Sequence, residues 1–252
     1  MKLLLILILS PLVSFAQNDT INLTDSKGLK QGVWTKQYDN GKTRYIGEFR
    51  NDKPIGTFKY YDDYGTLTGE ITYLTNDSAK GVFYHDGTNV LSKGMYYNMI
   101  RTGNWKFFDG QGDITSQSIY IDGKKNGPSR IYYKDGQIAR EENYKNGVLH
   151  GSVIEKFPKG ITKFKGNYST GNLDGEVVYY HPNGNKKLTG YYQFAVREKT
   201  WRYYNTEADL QYVEFYKEGY VKWRKTAEEL KNEKLLQKNS PDSLNSNTEV
   251  KK

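Results

Sequence analysis

The chain has 252 residues, no cysteine, 23 tyrosines and 25 glycines, and 37 basic residues against 29 acidic ones give it a formal charge of +8. Without a thiol, disulfide staples, thiol catalysis and cysteine-built zinc or iron–sulfur centres are excluded. The basic residues are scattered, which fits a mixed-charge surface and leaves open an anionic partner such as an acidic polysaccharide, lipid head groups or an acidic protein.

Residues 1–16 carry one lysine, a short apolar run from Leu3 to Leu9, and small residues at Ser14 and Ala16. This pattern predicts a secretory signal peptide cut between Ala16 and Gln17, the alternative being an uncleaved anchor. The expected location is therefore outside the cytoplasm: periplasmic, cell-surface or extracellular. No other apolar stretch approaches the ~20 residues of a membrane helix. Residues 17–27 form a polar lead-in.

From residue 28 to residue 223 the chain repeats. Tyr120, Tyr144, Tyr168, Tyr192 and Tyr216 lie 24 residues apart, as do Gly103, Gly127, Gly151 and Gly175, and likewise Gly112, Gly136, Gly160 and Gly184. One fixed interval for aromatics and turn glycines marks a stack of identical supersecondary units. With the opening glycine as position 0, positions 2 and 4 are mostly apolar: Phe58 and Tyr60, Trp105 and Phe107, Val177 and Tyr179, Trp201 and Tyr203. Positions 1 and 3 are mostly polar, as in Thr57 and Lys59 or Thr200 and Arg202. That alternation is a strand with one buried face. A turn such as Pro182-Asn183-Gly184 follows, then a second strand ending at the periodic tyrosine. Asp122-Gly123 or Asn146-Gly147 then closes the unit tightly.

About eight such hairpins start near Gly32, Gly56, Ser78, Gly103, Gly127, Gly151, Gly175 and Lys199. The third carries an insertion or deletion within Thr75–Lys80 that leaves Ser78 and Gly81 as rival starts. The predicted fold is all-β: one elongated, single-layer antiparallel meander of roughly sixteen strands, about 75 Å long at ~4.8 Å per strand. Residues 224–252 are expected to hold a short helix and a disordered tail. Thr226 to Glu229 reads as a capping box, and the helix would cover the last strand edge.

Chemistry is sparse. His85 and His181 fall in turns and His150 precedes Gly151, so they read as exposed turn histidines rather than metal ligands. Glu141 and Glu142 are adjacent on a strand and so point to opposite faces, unsuited to paired acid–base work. No catalytic constellation, cofactor motif or metal site is expected. One pattern stands out. Position 5, on the polar face, is aromatic in Tyr61, Phe108, Tyr132, Tyr180 and Tyr204, with Lys59, Lys106, Arg130 and Arg202 two residues earlier. Stacking would align an aromatic ladder beside a basic one. It either stabilises the sheet through cross-strand pairs or forms a binding strip for sugars or an extended peptide.

Units such as Gly56-Thr-Phe-Lys-Tyr-Tyr…Gly65 and Gly175-Glu-Val-Val-Tyr-Tyr…Asn183-Gly184 resemble the bacterial variant of the MORN (membrane occupation and recognition nexus) repeat, nearest the group labelled YwqK-type antitoxin. The resemblance covers about Gly28 to Tyr220. It implies an elongated antiparallel sheet used in scaffolding, interaction and lipid-associated roles. The expected function is an exported, non-catalytic repeat protein presenting an extended surface to an unknown protein or anionic glycan. Membrane-surface association remains open and nucleic acid is not expected. An antitoxin-like or immunity protein neutralising an exported toxin is the alternative, and a glycan-active enzyme the third reading.

Overall fold

A computed structural model describes residues 21–75 and 77–238. The expected leader and the tail beyond Lys238 lie outside the described residues.

The described residues form one antiparallel sheet of 19 strands in which each strand pairs with the next in sequence, except that Asn172–Leu173 and Gly175–Tyr180 both pair with Thr162–Ser169. The hairpins run from Lys30–Gln37 with Thr43–Arg50 to Val196–Tyr204 with Leu210–Lys217. The count exceeds sixteen for three reasons. Leu23–Thr24, inside the polar lead-in, pairs with Lys30 and Gln31. Asn172–Leu173 is split from Gly175–Tyr180. Tyr220–Thr226 adds a final strand before the helix Ala227–Lys238.

The register is the same in every hairpin: position 0 faces position 17. Gly56 faces Tyr73, Gly103 faces Tyr120, Gly127 faces Tyr144, Gly175 faces Tyr192 and Lys199 faces Tyr216. The third repeat obeys the rule through Ala79, which faces Tyr96. The start is therefore neither Ser78 nor Gly81. The second repeat is one residue short, and its junction with the third lacks the register shift found at the junctions around Lys125–Ser129 and Glu142–Tyr144. Most junctions are two-residue turns with both φ positive, as at Asp122-Gly123 (48° and 76°) and Asn146-Gly147 (52° and 85°), the geometry that matches strand twist. Phe194-Ala195 adopts it without a glycine, at 48° and 65°.

A single-layer sheet has no second layer to bury its apolar face, and this one fills the face from within. Position 2 and position 15 alternate across the strands as one row, and bulk is complementary along it. Phe58, Trp105 and Trp201, 3%, 0% and 0% exposed, lie over Gly47, Gly94 and Gly190. Position 17 tyrosines meet the indoles edge-on, Tyr96 at 5.1 Å and Tyr192 at 5.1 Å. Arg101 and Arg197 then cover the indoles from outside, 4.5 and 4.4 Å from the ring centroids, a cation–π lid that replaces a second layer.

The row turns polar mid-sheet. Buried Glu142 accepts from Arg140 Nε at 2.6 Å and from the Tyr144 hydroxyl at 2.7 Å, and Arg140 also pairs with Glu155. At the C-terminal end Arg224 occupies the core row and pairs with Glu214 at 3.4 Å. The capping box forms, with Glu229 Oε2 accepting from Thr226 N at 2.7 Å and Glu229 N donating to Thr226 Oγ1 at 3.2 Å. The helix does not cover the last edge. It lies near Leu210, Val213 and Trp223, and Tyr220–Thr226 stays largely exposed, because Leu235 and Leu236 point to solvent.

Candidate binding surface

The face opposite the indoles is the polar one, and its rows follow from the register. Position 3 faces position 14 across each strand pair. From the second repeat this row reads Lys59, Glu70, Val82, Lys93, Lys106, Gln117, Arg130, Glu141, each residue paired with the next. It continues through Ile154, Lys165, Val178, Thr189 and Arg202 to Val213. All four basic residues singled out in the sequence, Lys59, Lys106, Arg130 and Arg202, lie in it. They do not form a basic ladder. Strands of the opposite direction interleave them, and acids neutralise two: Lys59 sits 3.7 Å from Glu70, and Arg130 Nε 2.6 Å from Glu141. Glu141 and Glu142 do point to opposite faces, as expected.

Position 5 forms a second row beside the first. A register shift separates it from position 4 in each repeat, for example between Phe107 and Phe108. Tyr61, Phe108, Tyr132, Tyr180 and Tyr204 are all half-buried. Their faces are fixed by contacts: Lys93 Nζ lies 5.1 Å from the Phe108 ring centroid, and the Tyr84 hydroxyl donates to Glu70 Oε2 at 3.0 Å. Burial, then the hydrogen bond to Glu70, raises the pKa of Tyr84. Tyr84 is the ladder's missing member: it lies 24 residues before Phe108 but 23 after Tyr61, so it is on the beat only when counted back from the fourth repeat. Between these rings stand aliphatic or polar partners: Leu67, Val90, Ile114, Ile138, Lys186 and Leu210. Rings in successive repeats are thus two strands apart, about 9–10 Å. The sixth repeat interrupts the row with Lys156.

The turns beside this row alternate except at the sixth repeat, where position 6 is Phe157 and makes no side-chain cap. In odd repeats position 6 is a ring that reaches the position 5 carbonyl of the next hairpin. Tyr38 donates to Tyr61 O at 2.8 Å and Tyr133 to Lys156 O at 2.5 Å, while His85 and His181 stand 3.2 and 3.0 Å from Phe108 O and Tyr204 O. In the second, fourth and eighth repeats Asp62, Asp109 and Asn205 instead cap their own turns, accepting from backbone N–H groups. His85 and His181 are therefore ties between hairpins rather than unengaged turn residues. Among the described residues no group of three or more histidine, cysteine or acidic side chains is placed to hold a metal ion.

The family model of the MORN repeat variant matches residues 30–51, 125–146 and 173–193. These segments are MORN repeat variants. The remaining hairpins share their register, from Gly56 facing Tyr73 to Lys199 facing Tyr216, so one hairpin geometry builds the whole sheet. The match does not reach the level of the YwqK-type subtype. No curated protein matches the chain. Among solved structures it is similar to TarM, at 14% identity and a TM-score of 0.26 over 44% of this chain and 19% of that one. A mutant of S. aureus TarM in complex with fondaparinux, alpha-GlcNAc-glycerol and UDP gives 12% identity and a TM-score of 0.24 over 48% and 21%. The chain thus matches about a fifth of the length of those proteins.

Proposed function

We propose that this MORN-repeat chain is an exported, non-catalytic binding protein that presents its polar face to a protein or glycan partner. The observation that carries the reading is the position 5 row. Rings of five repeats, joined by Tyr84, lie half-exposed on one face with Lys and Arg in the adjoining row. Ring faces stack on sugars or apolar side chains, and the cations meet anionic groups. Export rests on residues 1–16, whose sequence pattern is that of a signal peptide.

The test replaces Tyr132 and Tyr180 by serine and follows two readouts, thermal melting and binding to the proteins and glycans that the unaltered chain retains. Truncated aromatic anchors lose at least ~2 kcal/mol, roughly thirtyfold in affinity. Lost binding with little change in melting supports the reading. Lowered melting with unchanged affinity assigns the rings to sheet stability alone and ends it. Intact mass of the exported protein checks the cut after Ala16.

A further inference from the structure

Within that reading, the structure assigns a more specific docking surface to the second, third and fourth repeats, and its chemistry fits an acidic, amphipathic segment of a protein partner. Two independent departures from the repeat meet there on the polar face.

The first is a charge conflict. In the position 3 and 14 row, Lys59 faces Glu70 and Arg130 faces Glu141, each an ion pair. Between them Lys93 directly faces Lys106. Like charges directly opposite destabilise a sheet. Lys80 lies one strand away on the same face, next to Met95, and the three lysines ring a cavity of about 220 Å³ floored by Gly94, Met95 and Asn104. No ion pair to Lys80, Lys93 or Lys106 occurs among the described residues.

The second is an apolar rim. Positions 18 and 21 pair at the end of each hairpin and elsewhere carry at least one polar residue: Arg50 with Lys53, Lys145 with Val148, Ser169 with Asn172, Gln193 with Val196. Here Tyr97 pairs with Ile100, and they are 55% and 48% exposed. Ile121 and Leu74 extend the rim at 51% and 58%. Tyr97, Ile119 and Ile121 adjoin residues of the indole face, Tyr96, Ser118 and Tyr120, and so project with the lysines. Exposed apolar side chains in one patch beside charge mark an interaction site.

Carboxylates would relieve the lysine conflict while apolar side chains of the same segment cover the rim. A polysaccharide would meet the lysines and leave the rim bare. Strand pairing is not the mode, since this surface lies on a face, not at an edge.

The experiment places a photo-crosslinker at Leu74 of the full chain, expressed in its native host, and identifies the crosslinked peptide. The purified partner is then titrated against the unaltered protein and variants, with dextran sulfate and phosphatidylglycerol vesicles as comparison ligands. We expect a crosslinked peptide rich in Asp and Glu with interspersed apolar residues. Tyr97→Asp with Ile100→Asp should abolish binding. Lys93→Gln with Lys106→Gln should weaken it about tenfold and flatten its salt dependence, with melting unchanged or raised because the like-charge pair is gone. Lys53→Gln, outside the patch, should bind as the unaltered chain does. Three results overturn the inference: no crosslinked protein, variants that bind normally, or binding to dextran sulfate or vesicles alone. If the patch variants bind normally while the Tyr132→Ser and Tyr180→Ser chain does not, this inference falls and the broader reading stands.

Discussion

The indole of Trp201 lies across Gly190 so closely that a methyl group built on the glycine would stand 2.2 Å from the ring. The same relationship joins Trp105 to Gly94 at 2.4 Å and Phe58 to Gly47 at 2.3 Å. Large residue and absent side chain are one packing device split across two strands. Gly190→Ala should therefore cost about 1–3 kcal/mol by overpacking, read in denaturant melts. An unchanged midpoint would mean the ring can slide aside.

Trp105→Ala should cost about 3–5 kcal/mol, because the residue is fully buried and nothing from a second layer can refill the space. Lys106→Ala, one residue on and on the other face, should stay within ~0.5 kcal/mol. Equal losses in chemical denaturation would contradict the assignment of the faces.

The mid-turn position that is Gly184 in the seventh repeat is Ala208 in the eighth, held at φ 73°. Left-handed backbone disfavours a side chain by roughly 1–2 kcal/mol, part of which glycine returns as unfolded-state entropy. Ala208→Gly should raise stability by about 0.5–1 kcal/mol. A fall in melting temperature would count against it.

Alkaline pH should loosen the sheet. Burial first, and then Tyr73, Glu142 and Tyr192 respectively, push Tyr60, Tyr144 and Tyr179 up to about 12. An unfolded tyrosine titrates near ~10, so the fold favours the neutral phenols. Their contribution is complete below about pH 10 and is lost as pH rises through about 12. Melting temperature should hold to about pH 10 and then drop, and ultraviolet titration should show a late-ionising group of tyrosines. A single tyrosine titration near ~10 would remove the basis for this expectation.

The periodic glycines and tyrosines made the meander legible because each repeat poses the same backbone problem: positive φ at position 0 and at the closing turn, an aromatic at position 17. Legibility failed where a residue is set by its neighbour across the sheet. Ala79 replaces a glycine because its junction lacks the bulge, so the third repeat has no opening glycine to mark it and Tyr84 and Lys93 went unnoticed, although Ala79 and Tyr96 lie 24 residues before Gly103 and Tyr120. Lys59 and Arg130 looked free because Glu70 and Glu141 lie 11 residues further along the chain and become neighbours only through pairing. The helix was legible from Thr226 and Glu229, but where it rests was not: Ala227 and Leu230 lie near Leu210, Val213 and Trp223, while Leu235 and Leu236 stay exposed and leave the last edge uncovered.

The alternation of turns makes the sheet a polymer whose monomer is two hairpins, not one. Tyr38, His85, Tyr133 and His181 each lean onto a neighbour whose own turn is closed by other means. Excising one even hairpin would bring two leaning turns side by side, ring against ring, and excising one odd hairpin would leave two turns closed by other means with no leaning ring between them. Excising two would keep every ring beside the kind of turn it now meets. Lengthening or shortening such a chain, by recombination or by design, should therefore succeed in steps of two.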